Sequence, residues 1–209
     1  MEKEPFTERL LLKLCDTRVV DGLLIVGYGK SMDRVESALS LIRLHHPLRY
    51  QRLLQDVRRV WLRPLIGASG RFHQSTWTCE IDNHFVVEDG TTTEMVASVI
   101  VHEATHARLW RRGISYDERI RKRVELVCVR QELAFSAKLP NGSTIREQAE
   151  SRLAYTQQLD LSNEAKRDRF GDHLEKASLD IGLPRWVVRL LMARWHRRRE
   201  SARRKRLPV

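Results

Sequence analysis

Residues 101–110 read VHEATHARLW. Two histidines stand four apart, with a glutamate directly after the first. On a helix, four residues advance about 400°, so His102 and His106 project from one face about one turn apart. That spacing lets two imidazoles share one ion at about 2.0–2.1 Å each. Glu103 lies about 100° further round, poorly placed to bind the same ion but able to reach a water beside it. A bound metal lowers the pKa of such a water from about 15.7 toward about 7, and a neighbouring carboxylate can then take its proton.

The flanks predict the helix. Thr91 and Glu94 have the spacing of a capping box, and Gly113 suits the first position past the C-terminus, so the spacing predicts a helix over 92–112. On its wheel the histidines share a face with Met95, Val99, Leu109 and Trp110. Ala97, Ala104, Arg108, Arg111 and Arg112 lie opposite. The histidines are therefore expected to point toward the core, where unsatisfied polar groups would be costly and a metal would satisfy them. A zinc site needs a third protein ligand. The next predicted helix, 117–138, carries Glu118, Glu125 and Glu132 at seven-residue intervals, near one face with Cys128 and Val129. Two antiparallel helices bring the middle of that stripe opposite the histidines, which favours Glu125 and Glu132 over Glu118 without choosing between them. Cys128 reads as a buried small hydrophobe or as a fourth ligand that would close the site. Cys79, on a predicted strand, is a more remote candidate for the metal.

Upstream, residues 19–27 could form a strand. Residues 33–46 suit a helix with Asp33 and Glu36 as its capping box, ended by Pro47, and residues 48–59 suit another. Residues 60–66 read as a strand whose Pro64 argues for an edge or a bulge. Gly67 and Gly70 mark a turn. Residues 75–81 and 84–87 are rich in β-formers, with Asp82-Asn83 between them as a turn. Downstream, Thr144 and Glu147 would cap a helix to about 159, and further helices are expected over 163–180 and 184–204. A small, mostly antiparallel sheet followed by a run of helices is an α+β pattern.

The charge balance adds a second theme. The 209 residues carry a formal net charge of +11. Residues 185–209 hold ten Lys/Arg against Glu200, or +9. Trp186, Val187, Leu190, Leu191 and Trp195 make an apolar stripe among those arginines, so residues 183–209 are read as a basic amphipathic helix and tail, apart from a domain spanning 1–182. The stripe suits an anionic membrane surface or a partner, or it packs on the domain as a last helix; nonspecific nucleic-acid binding is the weaker option. The first ten residues carry five charges and no apolar run, which argues against a signal peptide. No stretch approaches the roughly 18 apolar residues of a spanning helix. Three scattered cysteines without a CxxC pair argue against a disulfide framework. The expected location is the cytoplasm, with a peripheral place at the membrane as the option that follows if the tail's stripe meets an anionic surface.

HEATH at 102–106, followed by 18 residues and then Glu125, resembles the gluzincin metallopeptidases. The zinc aminopeptidase branch of that clan uses the same gap, and thermolysin-like enzymes nearly the same. The resemblance implies a zincin-like fold, a Zn2+ ion held by His102, His106 and Glu125, Glu103 as general base, and a peptide or protein substrate. It also implies an edge strand bordering the cleft that pairs with extended substrate, here 75–81 or 84–87. It covers about residues 75–138. The thermolysin-type NExxSD is replaced by VELVC at 124–128, and the GAMEN-type motif is missing. The aspartate that ordinarily orients a histidine is therefore not visible, and Glu132 or Cys128 could stand in for it. Tyr116 and Tyr155 are candidates to stabilise an oxyanion, although either suits ordinary packing better.

Overall fold

A computed structural model describes residues 14–204. The charged segment 1–10 and the last basic residues beyond 204 lie outside the described residues. The chain divides into two compact units, one up to Leu159 and one from Asp160 onward. The compositional boundary at 182/183 falls between the two helices of the second unit.

The first unit is α+β. A hairpin joins β1 (Asp16–Val20) to β2 (Leu23–Gly27). Asp21 and Gly22 both take positive φ, 49° and 83°, as a tight hairpin turn with matching twist requires. The single strand expected over 19–27 is thus the end of one strand, a turn and a second strand. Helices α1 (Gly29–His45) and α2 (Pro47–Asp56) follow. Pro47 both stops α1 and opens α2, where its missing N–H loses no bond. The capping box expected at Asp33 and Glu36 does not form, because α1 begins earlier. Both carboxylates instead bind Arg18 of β1, at 2.9 and 2.6 Å.

Three more strands complete the sheet: β3 (Arg59–Arg63), β4 (Gly70–His73) and β5 (Thr78–Asp82). The order is β1-β2-β3-β5-β4. Both edge pairs are antiparallel, as expected, and the two inner pairs, β2-β3 and β3-β5, are parallel. β3 is therefore the middle strand, not an edge. Pro64 follows its last residue and takes no donor from the ladder. Gly70, expected in a turn, opens the edge strand β4. Residues 84–87, expected as a strand, belong to a short helix α3 (Asn83–Val87), whose N-cap Asp82 accepts the Phe85 N–H.

Strands β3 and β5 alternate cleanly. Val60, Leu62, Cys79 and Ile81 enter the core with Leu39, Val96 and Ile100. On the other face Trp61 lies between the guanidinium groups of Arg59 and Arg63, and buried Glu80 binds Arg63 and Arg71.

Helix α4 (Thr93–Arg111) lies against this core. Its cap is Thr92, one residue later than expected, accepting the Met95 N–H. At the other end Gly113 has φ 76°, and the N–H groups of Gly113 and Ile114 return to Trp110 and Leu109, which closes the helix in a Schellman motif. The wheel placed Ala97 and Ala104 opposite the core. Both are in fact buried, because α4 is covered on several sides, and only Arg111 and Arg112 reach open solvent there. Helix α5 (Glu118–Ser136) returns along α4, and α6 (Ser143–Gln158) packs on α5. The cap expected from Thr144 and Glu147 is absent; Gly142 occupies the N-cap position. The second unit is a pair of packed helices, α7 (Asn163–Asp180), capped by Ser162, and α8 (Arg185–Arg204). Trp195 faces α7, against Phe170 and close to Gly171, and Val188 is buried. Among the described residues, no helix is long and apolar enough to cross a membrane.

Candidate metal centre

The short, tightly capped turn between α4 and α5 sets the two helices so that one carboxylate stripe faces the two histidines. His102 Nε2 and His106 Nε2 are 3.2 Å apart. Glu125 places one carboxylate oxygen 3.4 Å from His102 Nε2 and the other 3.6 Å from His106 Nε2. A tetrahedral ion with bonds of 2.0–2.1 Å requires its donors about 3.3–3.4 Å apart. The two contacts end on different oxygens of one carboxylate, Oε2 and Oε1, so Glu125 bridges the histidine pair at distances close to that spacing. Of the three glutamates on the stripe, Glu125 occupies this position; Glu118 lies on the first turn of α5, exposed.

Glu132, one heptad further along, has a different place. Its Oε1 lies 2.6 Å from His102 Nδ1. Its Oε2 accepts from Ser98 Oγ at 3.0 Å and from Arg152 on α6 at 2.6 Å. Only 1% of Glu132 is exposed. With Nδ1–H donated to Glu132, the His102 Nε2 lone pair is left for an ion, the usual arrangement of a ligating histidine.

Cys128 Sγ and the two histidines also offer donor atoms all within 4.8 Å of one another. Two donor sets therefore share the histidines. The two candidates for the third place differ in how firmly each holds its proton in the absence of an ion. Burial raises the pKa of Glu125, but His102, His106 and the hydroxyl of Tyr116 outweigh burial and bring it down to about 2. The Cys128 thiol is pushed the other way, upward, by burial and then by Glu125, Glu103 and Glu132. Cys79 is fully buried in the sheet core and its thiol is likewise pushed up by burial.

Glu103 sits on the sheet side of the histidines, 6% exposed. The Phe72 N–H of β4 donates to its carboxylate. Burial raises its pKa to about 7, partly offset by His102. Gly70 is the reason β4 can come this close: a Cβ there would stand 2.6 Å from Val99 Cγ1 and 3.0 Å from Glu103 Oε1. For His102, burial opposes the charge, but the carboxylates of Glu125 and Glu132 prevail and raise the ring to about 10. Two buried carboxylates, Glu103 and Glu132, and the partly exposed Glu125 thus surround two imidazoles, and a divalent cation would complete their charge balance.

An open cleft of about 340 Å³ borders the centre, lined by residues 67–70, Val99, His102, Glu103 and Arg152. This corrects the expected substrate strand. β5 is paired on both sides and 84–87 is helical, so the exposed strand beside the histidine helix is β4. Of the two tyrosines, Tyr116 touches the centre: its hydroxyl donates to Glu125 Oε1 and its ring meets His106 edge-on at 5.2 Å. Tyr155 is 58% exposed and has no such contact. Arg152, Ser98 and Gly70 were not anticipated. Gly70 had a legible signal as a glycine in a β-rich region, whereas Arg152 is one exposed-looking arginine among many. No protein-family model, curated protein or solved structure matches the chain.

Proposed function

We propose that this chain is a zinc-dependent hydrolase of zincin-like fold, acting on a peptide or protein. The observation that carries the proposal is the Glu125 carboxylate bridging the histidine pair, Oε2 at 3.4 Å from His102 Nε2 and Oε1 at 3.6 Å from His106 Nε2, with the two nitrogens 3.2 Å apart and the buried Glu103 beside them. In this reading the three residues hold zinc, which when bound supplies Lewis acidity toward a water and a substrate carbonyl. The chain's own groups do the rest. Glu103 accepts a proton from the attacking water and returns it to the leaving amine, a task suited to a carboxylate whose pKa lies near neutrality. Glu132 fixes the tautomer and tilt of His102. Tyr116 holds Glu125 in place. The cleft beside β4, floored by Gly70, admits an extended chain next to Glu103. Turnover of a peptide library, abolished by chelator and by Glu103→Gln but restored to the wild type by zinc, tests the proposal. A cytoplasmic location belongs to the same proposal.

A second reading is kept because two observations favour it. Cys128 lies close enough to the histidines to close the coordination shell, and α8 exposes Trp186 and Leu190, at 70% and 60%, among arginines. The chain would then be a zincin-like scaffold without turnover, docking an anionic membrane surface, nucleic acid or a protein through residues 183–209. Deleting that segment would abolish its role, and no peptide would be cleaved with or without zinc.

A further inference from the structure

Helix α4 has a second pocket on its reverse side. It has a volume of about 220 Å³ and lies among α2, α4 and α5. Four arginines line it: Arg49 and Arg52 of α2, Arg108 of α4 and Arg112 just beyond. The one acidic lining residue is Asp56. Asp56 is 3% exposed and already engaged, with Arg108 at 3.2 Å and Arg111 at 3.3 Å. Among the described residues, Arg52 and Arg112 form no ion pair. Arg49 gives one N–H to Gln131 Oε1 at 2.6 Å, while its Nε is buried without a hydrogen-bond partner. A buried, unsatisfied guanidinium donor is costly unless something fills the place of its acceptor. The positive field is felt nearby. Burial, and then Arg49 and Lys138, lower the pKa of His46 at the head of α2.

The floor has a different character. Leu53, Val101, Ala104 and Val127 make it apolar, and Ala104 leaves room where a larger side chain would fill it. Charge decides between anions. Arg49, Arg52 and Arg112 carry three positive charges that Asp56 does not offset, which matches a dianion better than a single carboxylate. Volume limits the body attached to it, since pockets for drug-sized molecules run to about 300–1,000 Å³. We propose that this pocket binds a small phosphate monoester, the phosphate on the arginines and a compact apolar group over Ala104. The site is separate from the histidine centre, and its occupancy does not depend on the metal.

The test is isothermal titration of the full-length protein with phenyl phosphate, inorganic phosphate and benzoate. Phenyl phosphate is expected to bind one per chain and about tenfold more tightly than either fragment, because each fragment engages only part of the pocket. Arg49→Lys, which keeps the charge but loses Nε, should weaken it about tenfold. Arg52→Gln and Arg112→Gln change exposed side chains that the fold does not need, and should each weaken phosphate binding with unchanged melting. Ala104→Leu should weaken phenyl phosphate while sparing inorganic phosphate. No saturable binding at millimolar phenyl phosphate, benzoate binding as tightly as the ester, or affinity indifferent to all four substitutions would overturn the proposal.

Discussion

Glu132 Oε1 and His102 Nδ1 lie 2.6 Å apart, in a place where Glu132 is 1% exposed. The contact leaves the ring's other nitrogen, Nε2, beside Glu125. Removing the Glu132 charge should therefore change how the ring presents itself without removing a ligand. Glu132→Gln is expected to lower zinc affinity about 10–100-fold, as loss of a histidine-orienting carboxylate typically does. Competition with a chromophoric chelator measures it. An unchanged affinity would mean that the contact is only packing.

Glu103 should separate binding from turnover. Glu103→Gln keeps the volume and the place beside Phe72, so zinc content should stay at the wild-type level. Hydrolysis should fall by about 10²–10⁴, the ordinary contribution of a general base. Zinc analysis and peptide turnover on the same preparation check both halves. Equal activity in the two proteins would remove Glu103 from the mechanism.

Gly70 predicts a steric effect on the same carboxylate. A Cβ at this position would press on Val99 and on Glu103 Oε1. Gly70→Val should reduce turnover through displacement of Glu103, with zinc content largely kept. Turnover equal to the wild type's would show that β4 tolerates retreat from the helix.

The metal-free protein should have a distinctive pH profile. His102 is raised from 6.5 to about 10, with its carboxylate partners outweighing burial. A raised histidine contributes stability that is full below about pH 6.5 and is lost as pH rises toward 10. Glu103 is raised from 4.5 to about 7 by burial, so its protonated folded form is favoured and stability falls as pH rises through 4.5–7. Both signs agree. The zinc-free protein should melt lower at pH 9 than at pH 6, and zinc uptake should release protons, since the metal replaces the proton on His102. Melting scans and a weakly buffered zinc titration give the two readouts. A zinc-free melting temperature that rises from pH 6 to pH 9 would contradict the profile.

The helical half of this arrangement was legible because its signals are redundant. Gly113 stops α4, the four-residue histidine spacing fixes a face, and a seven-residue carboxylate repeat opposes it across a short turn. The helical spacing alone left Glu125 and Glu132 open as third ligand, because both lie on one stripe and α4 runs antiparallel to it; the 18-residue gap singled out Glu125 only through the gluzincin resemblance, and the packing shows the different place of each. The sheet half was less legible. HFVV at 84–87 is too short to show a period, and the Asp82 carboxylate starts a helix there by capping Phe85. Asp33 and Glu36 have a capping spacing, but Arg18 from β1 claims both carboxylates. Arg152 reaches Glu132 through the packing of α6 on α5, a contact no local pattern encodes.

The most direct measurement is zinc stoichiometry with anomalous scattering at the zinc edge, on the wild type and on Glu125→Ala and Cys128→Ala. The account predicts one zinc per chain between His102, His106 and Glu125, lost in Glu125→Ala and retained in Cys128→Ala. A wild-type protein that takes up no divalent metal, or a zinc that survives Glu125→Ala and departs with Cys128→Ala, would contradict it.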